Sequence, residues 1–254
     1  MNERPPPTLP LSTRAAMFLR LLAVQGAFNY ETLVGNGIGF CVEPALRRLP
    51  GGREGEAYRT ALARQSQYFN THPYLAGVAV GALARAELEG ESPDRIERFR
   101  TALCGPLGAL GDRLVWATFL PLCSFAALVV FGAGGSPLAT VLSFLGLYNT
   151  GHIGLRVWGL QAGWRNGLAV AQSLGNPVLQ LAAPQLGRVA AVLAGCALPL
   201  ALYRVMGAER DLFVGTGVGV ITGAILLVSL HGRMEGWKLS MIVLAGFALY
   251  SVIR

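Results

Sequence analysis

The sequence has little charge. Only 14% of its 254 residues are Asp, Glu, Lys or Arg, against 53% hydrophobic residues and a mean hydropathy of +0.48. A soluble domain carries about 25% charged residues, because a folded surface must be hydrated. The shortage therefore argues against an ordinary soluble domain and predicts a membrane protein. Lysine is almost missing as well: Lys238 is the only one, so the net charge of +7 rests on arginine. The arginines are scattered through apolar segments and form no contiguous basic stripe, which argues against nucleic-acid binding and fits cytoplasmic anchors of membrane helices.

Cysteine chemistry is also sparse. Cys41, Cys104, Cys123 and Cys196 stand alone with no C-x-x-C spacing and read as small buried hydrophobes, so neither a disulfide nor a metal site is expected. A hydrolase elbow, zinc spacing, kinase set and dinucleotide fingerprint are all absent. No catalytic residue and no cofactor are expected. The start of the chain lacks the compact apolar core and small-residue cleavage site of a signal peptide. Pro5 to Pro7 favour an extended tail over residues 1–13, expected in the cytoplasm, followed by one membrane-embedded domain over 14–254.

Apolar runs at Leu114 to Gly132, Val189 to Met206, Leu212 to Leu230 and Leu239 to Ile253 are transmembrane candidates. The first half is more broken. Ser12 to Phe40 mixes apolar with polar residues and reads as helix interrupted at Gly35, Gly37 and Gly39. Pro44 to Glu56 reads as a charged loop, and Ala57 to Asn70 as an amphipathic helix. Tyr74 to Ala86, about a dozen apolar residues against the roughly 20 of a straight span, reads as buried or re-entrant. Pro137 to Gly167 is expected to be helical and buried in protein. The resulting fold class is an all-α integral membrane protein with transmembrane helices and broken or re-entrant hairpins.

Four polar motifs interrupt this apolar background. Gln25, Gly26, Asn29 and Glu31 place amide and carboxylate groups where an unpaired polar group is expensive. They either contact a ligand rich in hydroxyls or bond one helix to another. Phe69-Asn70-Thr71-His72-Pro73 packs polar groups and a helix break into five positions. Proline disfavours helical geometry at the residue before it, and unwound backbone of this kind either lines a transporter site or forms a capped turn. Gly105-Pro106-Leu107-Gly108-Ala109-Leu110-Gly111-Asp112 lacks the Gly-Lys-Ser/Thr ending of a phosphate loop and reads as a glycine hinge or hairpin tip, with Asp112 at the mouth of a helix. Gly159, Gly163 and Gly167 recur every four residues and read as a close-packing stripe beside Asn149 and Arg156; the arginine is expected to pair with a carboxylate or a carbonyl.

Taken in order, FLRLLAVQGAFNYE (Phe18 to Glu31), EPALRRL (Glu43 to Leu49), QYFNTHPYLAG (Gln67 to Gly77), CGPLGALGD (Cys104 to Asp112) and Asn149 to Gly167 resemble the IID subunit of mannose-family sugar phosphotransferase systems. The likeness runs from about Arg14 to Gly175 and continues beyond only in hydropathy. It implies an inner-membrane, multi-pass permease subunit paired with a IIC partner in a trimer of such pairs. Such a subunit moves a hexose by an elevator motion while the soluble IIA and IIB carriers deliver the phosphoryl group, and it carries no phosphorylated residue of its own. It also implies substrate binding by Gln25, Asn29, Glu31, Asn70, Thr71 and His72, and a moving hairpin at Gly105, Pro106, Gly108, Gly111 and Asp112. Two departures stand out. Arg113 occupies the position where the family pattern continues from Gly-Asp to proline, and the loop around Glu209 to Asp211 is short. They leave open a second reading, a membrane scaffold or regulatory subunit that keeps the fold without transporting.

Overall fold

The computed structural model describes residues 7–171, 175 and 177–206. All regular structure there is helical, apart from isolated bridges between Asn29 and Leu33 and between Leu33 and Phe69. The apolar runs at Leu212 to Leu230 and Leu239 to Ile253 and the loop at Glu209 to Asp211 lie outside the described residues. The chain divides into two compact units, at residues 197 and 198. The described part of the second, residues 198–206, is helical.

Helix α1 (Leu11–Leu21) starts within the tail expected to be extended and buries Met17 and Leu21. An irregular stretch follows, then α2 (Gly35–Leu46), α3 (Glu56–Gln65) and α4 (Ala76–Leu88). Gly35, Gly37 and Gly39 do not break a helix; they lie inside α2, and the break precedes them. Their role is close approach. A Cβ at Gly37 would overlap the Val24 carbonyl, and one at Gly35 the Gln67 carbonyl. Pro44 likewise sits inside α2 and not in a loop. It cannot donate to the Phe40 carbonyl four residues back, and Arg20 Nη1 supplies that hydrogen bond instead at 2.7 Å.

Helix α5 (Pro93–Gly111) starts on Ser92 with Pro93 in the first turn and Asp94 facing the positive end of the helix dipole. It continues through a π-helical segment, Asp112–Phe119, into α6 (Leu120–Gly132). The 40-residue helix Pro93–Gly132 is long and apolar enough to cross a bilayer, as is Leu181–Val205 within α8 (Pro177–Met206). The π segment has a local cause. Pro121 has no N–H for the Ala117 carbonyl and its ring crowds it, and a wider turn relieves the clash. Gly105 to Asp112 is therefore helix interior and helix junction. It is not a hairpin tip, and Asp112 is not at a helix mouth.

Helix α7 (Pro137–Asn166) is capped by Ser136, whose Oγ accepts from the Ala139 N–H at 3.1 Å. Only its C-terminal part is buried, from Arg156 onward; Leu138, Val141, Leu142 and Leu145 are exposed, so the expectation of full burial fails for the first half. The core is built on α4, which consists almost wholly of Ala, Gly, Val and Leu and is buried along most of its length. Small residues on both sides bring α4 and α7 into backbone contact. A Cβ at Gly77 would sit 2.9 Å from the Arg156 carbonyl, and one at Gly163 would sit 2.8 Å from the Ala82 nitrogen. Gly167 lies off this stripe: it ends α7 at φ +53° beside Arg85.

Candidate functional site

Three of the four motifs converge on one place. The Asn29–Val34 turn pairs with the segment entering α4: Phe69 N–H donates to the Thr32 carbonyl at 3.1 Å, and Val34 N–H donates to the Phe69 carbonyl at 3.2 Å. The next residues of that segment lie on α5. A Cβ at Gly108 would sit 3.8 Å from Asn70 Nδ2, and one at Gly111 would sit 2.5 Å from His72 Cγ. Gly108 and Gly111 are one helical turn apart, so they form a shallow groove that admits the Asn70 and His72 side chains.

The polar groups at this junction have different duties. Asn29 folds its own turn: Oδ1 accepts from the backbone N–H groups of Glu31 and Thr32 at 3.0 and 2.8 Å, and Nδ2 donates to Thr32 Oγ1 at 2.8 Å. Gln25, Glu31, Asn70 and Asp112 are exposed, whereas Thr71 and His72 are buried. His72 Nδ1 accepts from the Tyr74 N–H at 3.2 Å, so the neutral ring carries its proton on Nε2. That Nε2 is buried and has no hydrogen-bond partner among the described residues, an arrangement that costs free energy unless something beyond them accepts from it.

Tyr74, Trp116, Tyr148 and His152, which the motifs did not contain, join Asn149 and Arg156 of the fourth motif in a cluster beside His72. Trp116, from the π segment, meets the imidazole edge-on at 5.3 Å, and Tyr74 does so at 5.0 Å. Tyr74 stacks on His152 at 4.9 Å, hydrogen-bonds Tyr148 through their hydroxyls at 2.8 Å and lies under the Arg156 guanidinium at 4.3 Å. Arg156 Nε donates to the Leu21 carbonyl at 3.2 Å, and Nη1 meets His152 Nδ1 at 2.9 Å; His152 Nε2 meets Asn149 Oδ1 at 2.8 Å. A sequence signal for this cluster existed. Tyr148, His152 and Arg156 are spaced by four and continue into Gly159 and Gly163, so one face of α7 carries first the polar cluster and then the packing stripe.

Two ionic networks hold the converging segments. Arg100, buried at the middle of α5, donates to the Gln65 side-chain carbonyl at 2.7 Å and to the Gln67 backbone carbonyl at 2.9 Å, fixing the approach to Phe69. Glu87 receives Arg64 and Gln65 at 3.0 and 2.6 Å. Outside both long apolar helices, Glu43 accepts from Arg20, Arg47 and Tyr58 at 2.8, 2.7 and 2.9 Å. Burial pushes its carboxyl up, but the hydrogen bonds from Arg47, Tyr58 and Arg20 outweigh burial and hold it at about 2.

The described residues thus form an all-helical membrane protein with a polar junction between a broken helix and a π-bulged span. Residues 8–195 match the family model for the PTS system mannose/fructose/sorbose family IID component, so the chain belongs to that family. It is 34% identical over 173 residues to the mannose-specific EIID component of Escherichia coli K12, an alignment covering 65% of this chain and 59% of the relative. It is 33% identical to the sorbose-specific EIID component of Klebsiella pneumoniae, and 32% identical to the fructose permease IID component of Bacillus subtilis. Each of those alignments covers 65% of this chain and 61% of the relative. The chain thus spans about three fifths of the length of these relatives. Two solved structures share the fold. One is a chain of the cryo-EM structure of the mannose transporter ManYZ with microcin E492, at TM-score 0.55 and 22% identity, covering 96% of this chain and 97% of that one. The other is described as a membrane protein, at TM-score 0.71 and 23% identity, covering 97% and 98%.

Proposed function

We propose that the chain is the translocation subunit of a mannose-type permease, which binds a hexose together with a IIC partner and passes it inward for phosphorylation by IIB, itself charged by IIA. The observation that carries this reading is the convergence of the Asn29 turn, the Asn70–His72 segment and the Gly108–Asp112 face of α5. There exposed amide and carboxylate groups stand beside a buried imidazole N–H that has no acceptor among the described residues. A hexose offers donors and acceptors in the numbers such a junction needs. Gln25, Glu31, Asn70 and Asp112 are the groups free to reach it. Asn29 acts by shaping its turn, and His72 Nε2 acts as a donor.

On this reading, residues 14–254 form one multi-pass domain of the bacterial inner membrane with the N-terminal tail in the cytoplasm. The assembly is a trimer of IIC and IID pairs. The glycine face before the π segment is the flexible element of an elevator motion. The test is hexose uptake by the reconstituted pair carrying Asn29→Ala or Asn70→Ala. Each is expected to weaken apparent affinity about tenfold, Asn70→Ala by removing one or two hydrogen bonds to the ligand and Asn29→Ala by loosening the turn that faces it. Unchanged affinity in both would remove these residues from the site.

The scaffold reading draws on Arg113, an exposed arginine directly after Asp112. It expects stable co-purification with IIC but normal sugar uptake in cells lacking this chain.

A further inference from the structure

A second recess lies away from the polar junction, between the first turns of α1 and the C-terminal half of α7. It is a half-open cavity of about 260 Å³. Leu11, Phe18, Val157 and Leu160 give it an apolar wall, and Arg14, Gln161 and Trp164 stand in the same lining. Its volume falls below the ~300–1,000 Å³ of sites for drug-sized ligands and suits a length of one hydrocarbon chain.

Arg14 is exposed, and its guanidinium has no hydrogen bond or ion pair with any described residue. The arginines around Glu43 and Glu87, by contrast, all hold acceptors. α1 itself is 11 residues long, too short to cross a bilayer, and it leaves Leu11 and Leu19 exposed at 80% and 62%. Exposed leucines with arginines on one short helix mark an element lying in the membrane interface. Trp164 belongs at the same level, where an apolar ring with one N–H sits best.

We infer that this recess binds one anionic phospholipid, with its phosphate on Arg14 and part of one acyl chain against Phe18, Val157 and Leu160. A guanidinium matches a phosphate with paired N–H donors, and basic recesses between membrane helices are suited to anionic headgroups. The ligand fastens α1 to α7 at a site separate from the hexose junction.

The test uses the full chain in zwitterionic nanodiscs, with thermal unfolding followed as phosphatidylglycerol, chain-matched phosphatidylcholine or inorganic phosphate is added. Phosphatidylglycerol alone is expected to raise the unfolding temperature of the unaltered chain. Arg14→Gln is expected to weaken that response about tenfold in lipid concentration, while Arg98→Gln, an exposed arginine elsewhere, keeps it. Ala15→Trp, at an exposed position in the lining, fills the recess and is expected to abolish the response without lowering the basal unfolding temperature. Equal responses to the two lipids, a response to phosphate alone, or a full response in Arg14→Gln would each overturn the inference. Should Ala15→Trp fail to fold, the Arg14→Gln titration decides.

Discussion

Gly111→Ala is the substitution that most directly probes the junction. Gly111 is buried, and a Cβ there would sit 2.5 Å from His72 Cγ and 3.2 Å from His72 Nδ1, and would overlap His72 Cβ. Carbon atoms rest about 3.5–4.0 Å apart, so the His72 segment must retreat by about 1 Å or more. Rotating the imidazole cannot relieve a clash at the root of its side chain, so the backbone between Asn70 and Tyr74 has to move. Inserting one carbon into a packed site costs about 1–3 kcal/mol, and better helix propensity returns roughly 0.5–1 kcal/mol. A net loss of about 1 kcal/mol, at the middle of those ranges, lowers the unfolding temperature of a chain this size by roughly 2–4 °C. Gly146→Ala, in the exposed first half of α7, supplies the control. A Cβ there meets nothing within 4 Å, so propensity alone acts and the unfolding temperature should rise by roughly 1–4 °C. Differential scanning fluorimetry of both variants in nanodiscs reads the two signs, and hexose uptake with the partner should fall only in Gly111→Ala. Equal shifts in the two variants would refute the argument that Gly111 is kept small by His72.

Two further substitutions test the supports around the junction. Glu43 has its carboxyl held at about 2 against an ordinary 4.5, a depressed value, so its contribution is complete above about pH 5 and fades as pH falls toward 2. Glu43→Gln should cost about 3 kcal/mol at pH 7, and its unfolding curve should merge with that of the unaltered chain near pH 2; a gap that persists in acid would refute the ion-pair account. Gly163→Val should cost about 3 kcal/mol by driving α7 off the Val78 carbonyl and the Ala82 nitrogen, whereas Gly154→Ala, which faces open space, should be neutral or slightly stabilising in the same unfolding assay.

The sequence exposed the kinds of segment better than their arrangement. Low charge and the apolar runs are composition, and composition reports directly on the medium, so the membrane class and the apolar helix over Leu114–Gly132 are legible, whereas its continuation back to Pro93 is not. The short apolar stretch after Pro73 was legible as buried for the same reason: α4 is too short to span and too apolar to face water. Glycine was the misleading residue. Its two uses, a special backbone conformation and close approach, look identical in a string of letters. Gly35, Gly37 and Gly111 read as interruptions, yet all lie in helix, made small by what rests against them: the Gln67 carbonyl, the Val24 carbonyl and His72. Those neighbours come from segments 13 to 39 residues away, and no local pattern names them. The prolines misled in the same way. Pro44 reads as a helix stop until Arg20, 24 residues earlier, is seen to satisfy the carbonyl it leaves free. The aromatic and basic cluster was half legible, because Tyr148, His152 and Arg156 share a helix face by spacing alone, while Tyr74 and Trp116 join them only through the fold. Local spacing thus identifies which face of a helix is occupied, and long-range packing decides by what. The junction proposed to hold sugar is built almost wholly from contacts of the second kind, so its residues could be named in sequence before their duties could be.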